Sequence, residues 1–352
     1  MHLVPINHAK PGMMLGKTIF REDDGKILLV KNTILKNEYI HKIKNLGYEY
    51  IYIRDPLAFE DDDELLPPIK DETKVKAIQV LKSTVQQIAK NEEMNIRRIK
   101  NVIVEVVDQI LSDRQVIYNL SDLNQHDNYT YFHSVNVTVL SLLIGSELGI
   151  SRGDLEILGM GAMMHDIGKT LIDPELLNKP EQLDSDEFES MKEHARNGFE
   201  LLKDKLPSFV PAHIALQHHE REDGSGYPRG ATGKNIHRFS KIVAVADVFD
   251  AITTNRSYQK ARSPFEAIRQ LTAEIEVKFE RNIVGTLSKV IAPFPVGSTL
   301  RFKDGFNGVV TFVSRSKCLV NLLDGPFKGD KVDLYRTPEL QVLEVVKLFS
   351  EA

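Results

Sequence analysis

Five histidines and two aspartates stand where the surrounding sequence pattern would place apolar residues. They are His133, His165, Asp166, His194, His218, His219 and Asp247. Each one alone has an ordinary explanation, such as a hydrogen-bonded core histidine or a paired aspartate. A buried carboxylate, however, costs several kcal/mol unless it is paired or binds a cation. Imidazoles and carboxylates together are ligands for divalent transition metals, so the set predicts a metal centre.

Two pairs within this set are adjacent in the sequence, His165 with Asp166 and His218 with His219. Neighbouring residues on a helix point about 100° apart, so one member can bind one ion while the other reaches a second. The set therefore offers ligands for two ions, with Asp166 bridging them. A metal pair can generate hydroxide from a shared water and neutralise charge on a phosphoryl group.

A loop of special backbone geometry is predicted directly after His219. Residues 220–230 contain three glycines and a proline, which favour turns and close backbone contacts. The segment also carries Arg221, Tyr227 and Arg229. Guanidinium groups suit phosphate contact and aromatic rings suit base stacking, so we predict that these residues bind substrate; a simple surface loop is the alternative.

Helices must bring the seven residues together, and helical periodicity predicts them. His133 heads an apolar stripe, and His165 falls on one predicted helical face with Leu158. Asp184 and Glu187 have the spacing of a capping box, which opens the helix that carries His194. The stretch 242–249 is an apolar helix around Asp247.

The chain divides into four predicted regions. Residues 1–57 read as a small α+β domain of unknown role, and residues 58–72 as an acidic linker. Residues 73–290 read as mostly helical, and residues 291–352 as a β-rich module with turns at Asp304-Gly305 and Asp324-Gly325. Apolar stripes within residues 73–112 predict either core packing or the seam of a homodimer.

Composition excludes several classes of protein. The 352 residues include 45 Lys and Arg against 50 Asp and Glu, so the net charge of −5 argues against a binder of nucleic acid polymers. No apolar run is long enough to span a membrane. Cys318 is the single cysteine, and the N-terminus lacks a secretory pattern, so we expect a cytoplasmic protein.

The motifs resemble those of a known family. The segment from His165-Asp166 to Lys169 resembles the signature of the HD phosphohydrolase superfamily, and residues 218–228 resemble the extended signature of its HD-GYP subgroup. The resemblance covers residues 120–290. It implies a mainly α protein with a helical HD-type metal-dependent phosphohydrolase domain, flanked by the small α+β domain and the β-rich module. It also implies hydrolysis of the bacterial messenger cyclic di-GMP, to linear pGpG or on to GMP, with iron or manganese.

The resemblance implies roles for individual residues. The same seven histidines and aspartates would be the metal ligands, Lys169 would lie near the scissile phosphate, and Tyr227 and Arg256 would contact the ligand. Some members have a glutamate for a third metal where this chain has Tyr129. We therefore expect two metals, which leaves the second step to GMP open. A ligand-contacting lysine of some members is Gln259 here.

The expected reaction is in-line attack by a metal-bridging hydroxide on one phosphodiester bond, with Asp166 bridging the metals and Lys169 stabilising phosphoryl charge. Two alternatives stay open. One is hydrolysis of a mixed guanine–adenine cyclic dinucleotide. The other is a catalytically weak cyclic-dinucleotide sensor that acts through protein partners. For either function, the N-terminal domain is the predicted site for a regulatory protein partner.

Overall fold

The computed structural model describes residues 2–16, 18–21, 26–46, 48, 50–54, 67–112, 118, 129–177, 179, 181–254 and 261–347. Arg256 and Gln259 lie outside the described residues, as does most of the predicted acidic linker. The helices of the described part are α1 (Asn37–Asn45), α2 (Asp71–Ala89), α3 (Ile96–Ser112), α4 (Tyr129–Glu147), α5 (Arg152–Met163), α6 (Pro174–Leu177), α7 (Ser185–Leu202), α8 (Val210–Gln217), α9 (Arg238–Thr253), α10 (Pro264–Ala273) and α11 (Arg281–Val290). Its strands are β1 (His2–Pro5), β2 (Met14–Leu15), β3 (Ile19–Phe20), β4 (Ile27–Leu29), β5 (Tyr50–Arg54), β6 (Thr299–Phe302), β7 (Asn307–Val313), β8 (Cys318–Leu322), β9 (Lys331–Asp333) and β10 (Val342–Lys347).

Helix α4 is the centre of the helical part. Residues 132–145 are all buried, including polar side chains such as Ser134 and Asn136. It packs against α2, α3, α5, α9 and α11. This arrangement places His133, near the start of α4, in the interior of the domain.

The apolar stripes of α2 and α3 pack into the core of the same chain. Ile78 and Ile88 of α2 and Ile99, Ile103 and Ile110 of α3 are buried in the cluster that also holds α4 and α5. Core packing is therefore the role of these stripes. A homodimer through residues 73–112 stays a prediction.

The flanking regions are sheets with their own small cores, so the predicted fold class is confirmed. In the N-terminal region β5 pairs antiparallel with β1 and β2. Leu15 of β2 and Ile43 of α1 are buried in its small apolar core. The C-terminal sheet has the order β10-β6-β7-β8-β9 with antiparallel neighbours. The two predicted Asp-Gly turns lie in the β6–β7 and β8–β9 connections. The domain boundaries remain predictions.

One local prediction was wrong. His165 does not lie on the helical face of Leu158, because α5 ends at Met163 and a 3-10 helix (Ile167–Leu171) begins beyond Asp166. Gly168 fixes this turn against α7: a Cβ atom there would lie 2.0 Å from the carbonyl oxygen of His194 and 2.4 Å from the amide nitrogen of Gly198. Only glycine permits such an approach of two backbones.

No helix among the described residues has the length and apolar character needed to cross a bilayer.

Candidate metal centre

The seven predicted residues converge in the helical core from five separate segments. His133 comes from α4, His165 and Asp166 from the turn after α5, and His194 from α7. His218 and His219 follow the end of α8, and Asp247 lies in α9. Six of the seven are buried, and His219 is half-buried. The structure thus brings every predicted ligand to one place.

Asp166 is the central residue of this cluster. Its Oδ1 atom lies 3.5 Å from Nε2 of His194 and 3.7 Å from Nε2 of His218. Its Oδ2 atom lies 3.4 Å from Nε2 of His165 and 3.8 Å from Nε2 of His133. The carboxylate therefore directs one oxygen toward each side of the cluster, which is the arrangement a bridging ligand requires.

The possible ligand atoms fall into two groups, of which Asp166 belongs to one and faces the other through Oδ2. One group contains Asp166, His194, His218 and His219, and within it these atoms lie within 4.8 Å of one another. The other contains His133, His165 and Asp247, under the same distance limit. Each group has the nitrogen and oxygen donors that suit a divalent transition metal.

Hydrogen bonds on the outer side of the rings orient three of the histidines. The Nδ1 atoms of His165, His194 and His218 lie 2.7, 2.6 and 2.9 Å from the carbonyl oxygens of Ala162, Met191 and Ala215. A carbonyl only accepts, so Nδ1 carries the proton and the lone pair of Nε2 is directed inward. This is how metal-ligating histidines are usually held.

His133 is oriented by a carboxylate instead. Its Nδ1 atom lies 2.7 Å from Oδ2 of Asp250, whose Oδ1 accepts a hydrogen bond of 3.1 Å from Asn136. Asp250 is fully buried. Its place is outside the cluster, where it supports a ring that reaches Asp247 at 3.1 Å through Nε2.

Most side chains of the cluster are in the protonation state that binds metal, with neutral imidazoles and an ionised carboxylate. Burial lowers the pKa of His194 to about 3 and lowers the pKa of His218 and His219 as well, so these rings are neutral at pH 7. Burial opposes the charge of Asp166, but the Lys169 ammonium, with Nζ 2.6 Å from Oδ2, outweighs this effect and holds the pKa of this carboxyl well below its usual range.

Asp247 and His133 are coupled directly, with Nε2 of His133 3.1 Å from Oδ1 of Asp247. Burial disfavours both charges, yet their mutual hydrogen bond holds the pKa of Asp247 well below its usual range. The same bond, together with the bond to Asp250, raises the pKa of His133 to about 9.

Two buried atoms at the centre lack a hydrogen-bond partner among the described residues. They are Nε2 of His165 and Oδ1 of Asp166. An unsatisfied buried acceptor of this kind costs about 1–3 kcal/mol, whereas a divalent cation held by the ligand group that each atom faces would satisfy that atom. The donor set and these open atoms fit divalent metal ions.

The loop after His219 is organised by Glu220, whose role the sequence prediction missed. The carboxylate is buried and accepts hydrogen bonds of 2.8 Å from the amides of Arg229 and Ala231. Gly226 brings the loop onto its own start, since a Cβ atom there would lie 2.3 Å from the carbonyl oxygen of His219. The only sequence indication of this role is the position of Glu220 between a ligand pair and a glycine-rich loop.

This loop places Tyr227 against the cluster. The Tyr227 ring stacks on His219 at a centroid distance of 4.6 Å and lies 6.2 Å from the ring of His194. Burial raises the pKa of Tyr227, so its hydroxyl keeps its proton. Lys169 lies on another side of the cluster, with Nζ 2.6 Å from Oδ2 of Asp166 and 27% of its side chain exposed.

The two loop arginines differ in their surroundings. Arg221 donates from Nη1 to the carbonyl oxygens of His218 and Glu220, and its guanidinium lies over the ring of Phe279. Arg229 is exposed. Arg256, the third predicted arginine, lies outside the described residues. Contact of any of the three with substrate stays a prediction.

Comparison with known proteins agrees with this geometry. A family model described as HD domain matches residues 105–283, more than half of the chain. A cyclic di-GMP phosphodiesterase of Pseudomonas aeruginosa is 34% identical over 211 residues, 60% of this chain and 51% of that protein. A 3′3′-cGAMP-specific phosphodiesterase of Vibrio cholerae, number 3, is 34% identical over 167 residues, 47% of this chain and 36% of that protein.

The fold also matches a solved structure, the HDG"Y"P protein Bd1817 of Bdellovibrio bacteriovorus. The match has a TM-score of 0.54 and 18% identity, and it covers 81% of this chain and 97% of that one. This likeness shows a shared fold. The chain spans about half the length of the first curated relative and about a third of the second. With its helical core, its five converging histidines and the match over residues 105–283, the chain belongs to the HD domain family.

Proposed function

We propose that the chain is a metal-dependent phosphodiesterase that hydrolyses cyclic di-GMP. The observation that carries the proposal is the buried cluster of two ligand groups on either side of Asp166. The Pseudomonas aeruginosa relative, named for cyclic di-GMP hydrolysis, supports the choice of substrate.

The proposed metal site holds two divalent ions, iron or manganese, on the seven ligands with Asp166 between them. Bound there, such ions lower the pKa of water and neutralise charge on phosphoryl oxygens. The choice of two ions rests on the resemblance to the HD-GYP subgroup, because some members have a glutamate for a third metal where this chain has Tyr129, and a tyrosine has an ordinary pKa near 10.

The remaining roles fall to residues around the cluster. Lys169 contacts Asp166 yet stays partly exposed, so its ammonium can donate to a phosphoryl oxygen or to the leaving 3′-oxygen of a bound diester. Tyr227, Arg221, Arg229 and Arg256 are proposed to hold the dinucleotide. We expect pGpG as the main early product, with slower formation of GMP.

A second candidate substrate is the mixed guanine–adenine ring 3′3′-cGAMP. It is favoured by the Vibrio cholerae relative, which has the same identity of 34% over a shorter match. Metal ions at the cluster would contact phosphates and would not separate the two rings, since they differ only in one base. A catalytically weak sensor is disfavoured, because all seven ligands are present.

The test begins with the full chain purified without oxygen and its metals counted by elemental analysis. Equal concentrations of cyclic di-GMP and 3′3′-cGAMP are then supplied together, and products are separated by chromatography over time. The proposal expects two ions per chain, faster loss of cyclic di-GMP, and accumulation of pGpG. A chelator should abolish turnover, and added Fe²⁺ or Mn²⁺ should restore it.

Three outcomes would contradict parts of the proposal. Faster loss of 3′3′-cGAMP would make it the substrate. Tight binding of cyclic di-GMP by the fully loaded protein without turnover would identify a sensor. Three ions per chain, or GMP release without accumulation of pGpG, would contradict the two-metal assignment. A homodimer and a regulatory partner at the N-terminal region stay predictions.

A further inference from the structure

An exposed phenylalanine extends the aromatic contacts of the cluster toward solvent. Phe188, on the first turn of α7, is 46% exposed. Its ring lies 6.3 Å from the ring of Tyr227 at an angle of 80°. Since Tyr227 in turn stacks on His219, the three rings form a continuous path from the metal ligands to the surface. We call Phe188, Lys192 and Tyr227 the aromatic rim.

A cation belongs to the same rim. Nζ of Lys192, one helical turn after Phe188, lies 4.8 Å from the centroid of the Phe188 ring and 5.6 Å from that of Tyr227. It also pairs with Glu189 at 2.5 Å, a residue whose side chain is 69% exposed. Lys192 thus brings a positive charge next to two aromatic rings at the edge of the cluster.

Single exposed apolar residues are ordinary on protein surfaces, so exposure of Phe188 alone carries no argument. What distinguishes it is the combination of open ring surface, contact with Tyr227 and an adjacent ammonium. Aromatic rings stack on nucleobases of any identity, and nearby cationic side chains contact the phosphates of the same nucleic acid strand. A cyclic dinucleotide offers both groups, and it extends well beyond the one phosphodiester that a metal pair holds.

We propose that the aromatic rim is the subsite for one purine base of the cyclic dinucleotide, with Phe188 stacking on the base and Lys192 contacting a phosphate of the same nucleotide. This inference rests on the proposed function, because it takes the phosphodiester at the metals as its starting point. It adds two substrate-binding residues, Phe188 and Lys192, on α7. The sequence analysis predicted only one site residue on this helix, the metal ligand His194.

The experiment compares Phe188→Leu with Phe188→Tyr in the full, metal-loaded chain. Leucine keeps apolar bulk but lacks a ring, whereas tyrosine keeps the stacking face. We expect Phe188→Leu to raise KM for cyclic di-GMP about tenfold, equivalent to about 1.4 kcal/mol, with kcat within about twofold and metal content unchanged. That size lies within the range for base–aromatic stacking. Phe188→Tyr should keep KM within about twofold of the parent.

Lys192→Gln tests the charge. It should raise KM about fivefold at low salt and less at high salt, because exposed charges are screened. The matched controls are Phe327→Ala, which removes a 56% exposed phenylalanine of the C-terminal module, and Lys203→Gln, which removes a lysine at the other end of α7. Neither control should change KM.

The outcomes separate this inference from the proposed function. If the parent chain hydrolyses cyclic di-GMP and Phe188→Leu keeps the parent KM, or if leucine and tyrosine behave alike, the rim is not a base subsite while the proposed function stands. If the loaded parent neither binds nor hydrolyses a cyclic dinucleotide, the proposed function fails and the subsite fails with it. Loss of metal in Phe188→Leu would show that Phe188 supports α7 instead.

Discussion

The metal cluster and the aromatic rim lie next to each other but are held in different ways. Within the cluster, His165, His194 and His218 are buried and each is fixed by a hydrogen bond from Nδ1 to a backbone carbonyl. In the rim, Phe188 and Lys192 are partly exposed and are held by ring and charge contacts. A side chain with a directional partner has one orientation, whereas packing alone permits several.

The difference has a functional meaning. Metal ligands must stand within a few tenths of an ångström of their ion, so their orientation has to be fixed before the ion arrives. Substrate contacts at a rim have to admit and release a ligand. Changes inside the cluster should therefore abolish metal binding, and changes at the rim should alter affinity by smaller factors.

The largest effect is expected for His165→Ala. Residues that only orient metal ligands typically contribute about 10–100-fold to metal affinity or activity, so loss of a ligand should reduce activity by more than about 100-fold. Bound metal should fall as well, measured by elemental analysis. His213→Ala is the matched control, since His213 lies on α8 outside the cluster. Full activity in His165→Ala would contradict the metal model, provided that circular dichroism shows an intact helical fold.

Gly168→Ala should cause the next largest effect, on stability. The added methyl would lie 2.0 Å from the carbonyl oxygen of His194, and because both partners are backbone, neither can rotate away. We expect a loss of about 3 kcal/mol in the free energy of unfolding, the upper part of the range for overpacking. Urea denaturation measures it. At Gly285, inside α11, a Cβ atom would have no neighbour within 4 Å, so Gly285→Ala should be neutral or stabilising by about 0.5–1 kcal/mol.

An intermediate effect is expected for Asp250→Asn. The carboxylate accepts hydrogen bonds from both His133 and Asn136. An asparagine has only one accepting oxygen, so one of these donors would face an amide that also donates. Metal affinity should fall by about 10–100-fold, measured by competition with a chromogenic chelator. Parent affinity in this variant would mean that the ring of His133 is held by packing alone.

The smallest effects are expected on stability, and they should differ between the two loop arginines, Arg221 and Arg229. Arg221→Ala removes hydrogen bonds to the carbonyls of His218 and Glu220 and exposes the ring of Phe279, which should lower stability by about 1–2 kcal/mol. Arg229→Ala removes an exposed side chain and should change stability by less than about 0.5 kcal/mol. Thermal melts of both variants, with KM for cyclic di-GMP, test whether either arginine acts on substrate.

The fold shows how far periodicity carries a prediction. The helices around His133, His194 and Asp247 and the capping box at Asp184 follow from local spacing, and the structure contains them. The helical interpretation of His165 was wrong, because the end of α5 depends on the contact of Gly168 with α7. That contact joins residues 26 to 30 positions apart in the sequence (168 to 194 and 198). A local sequence pattern cannot predict a contact over such a distance.

The sequence by itself determined the identity of the seven cluster residues, because a histidine or aspartate within an apolar stripe is unusual enough to be recognised without a structure. Only the tertiary structure decided how they are arranged: Asp166 between two groups, Asp250 behind His133, and Glu220 under the loop. The physical reason is that burial follows from residue type and periodicity, which are local. Orientation depends on hydrogen bonds and ring contacts between segments such as α4 and α9, or Phe188 and Tyr227, that meet only when the chain has folded.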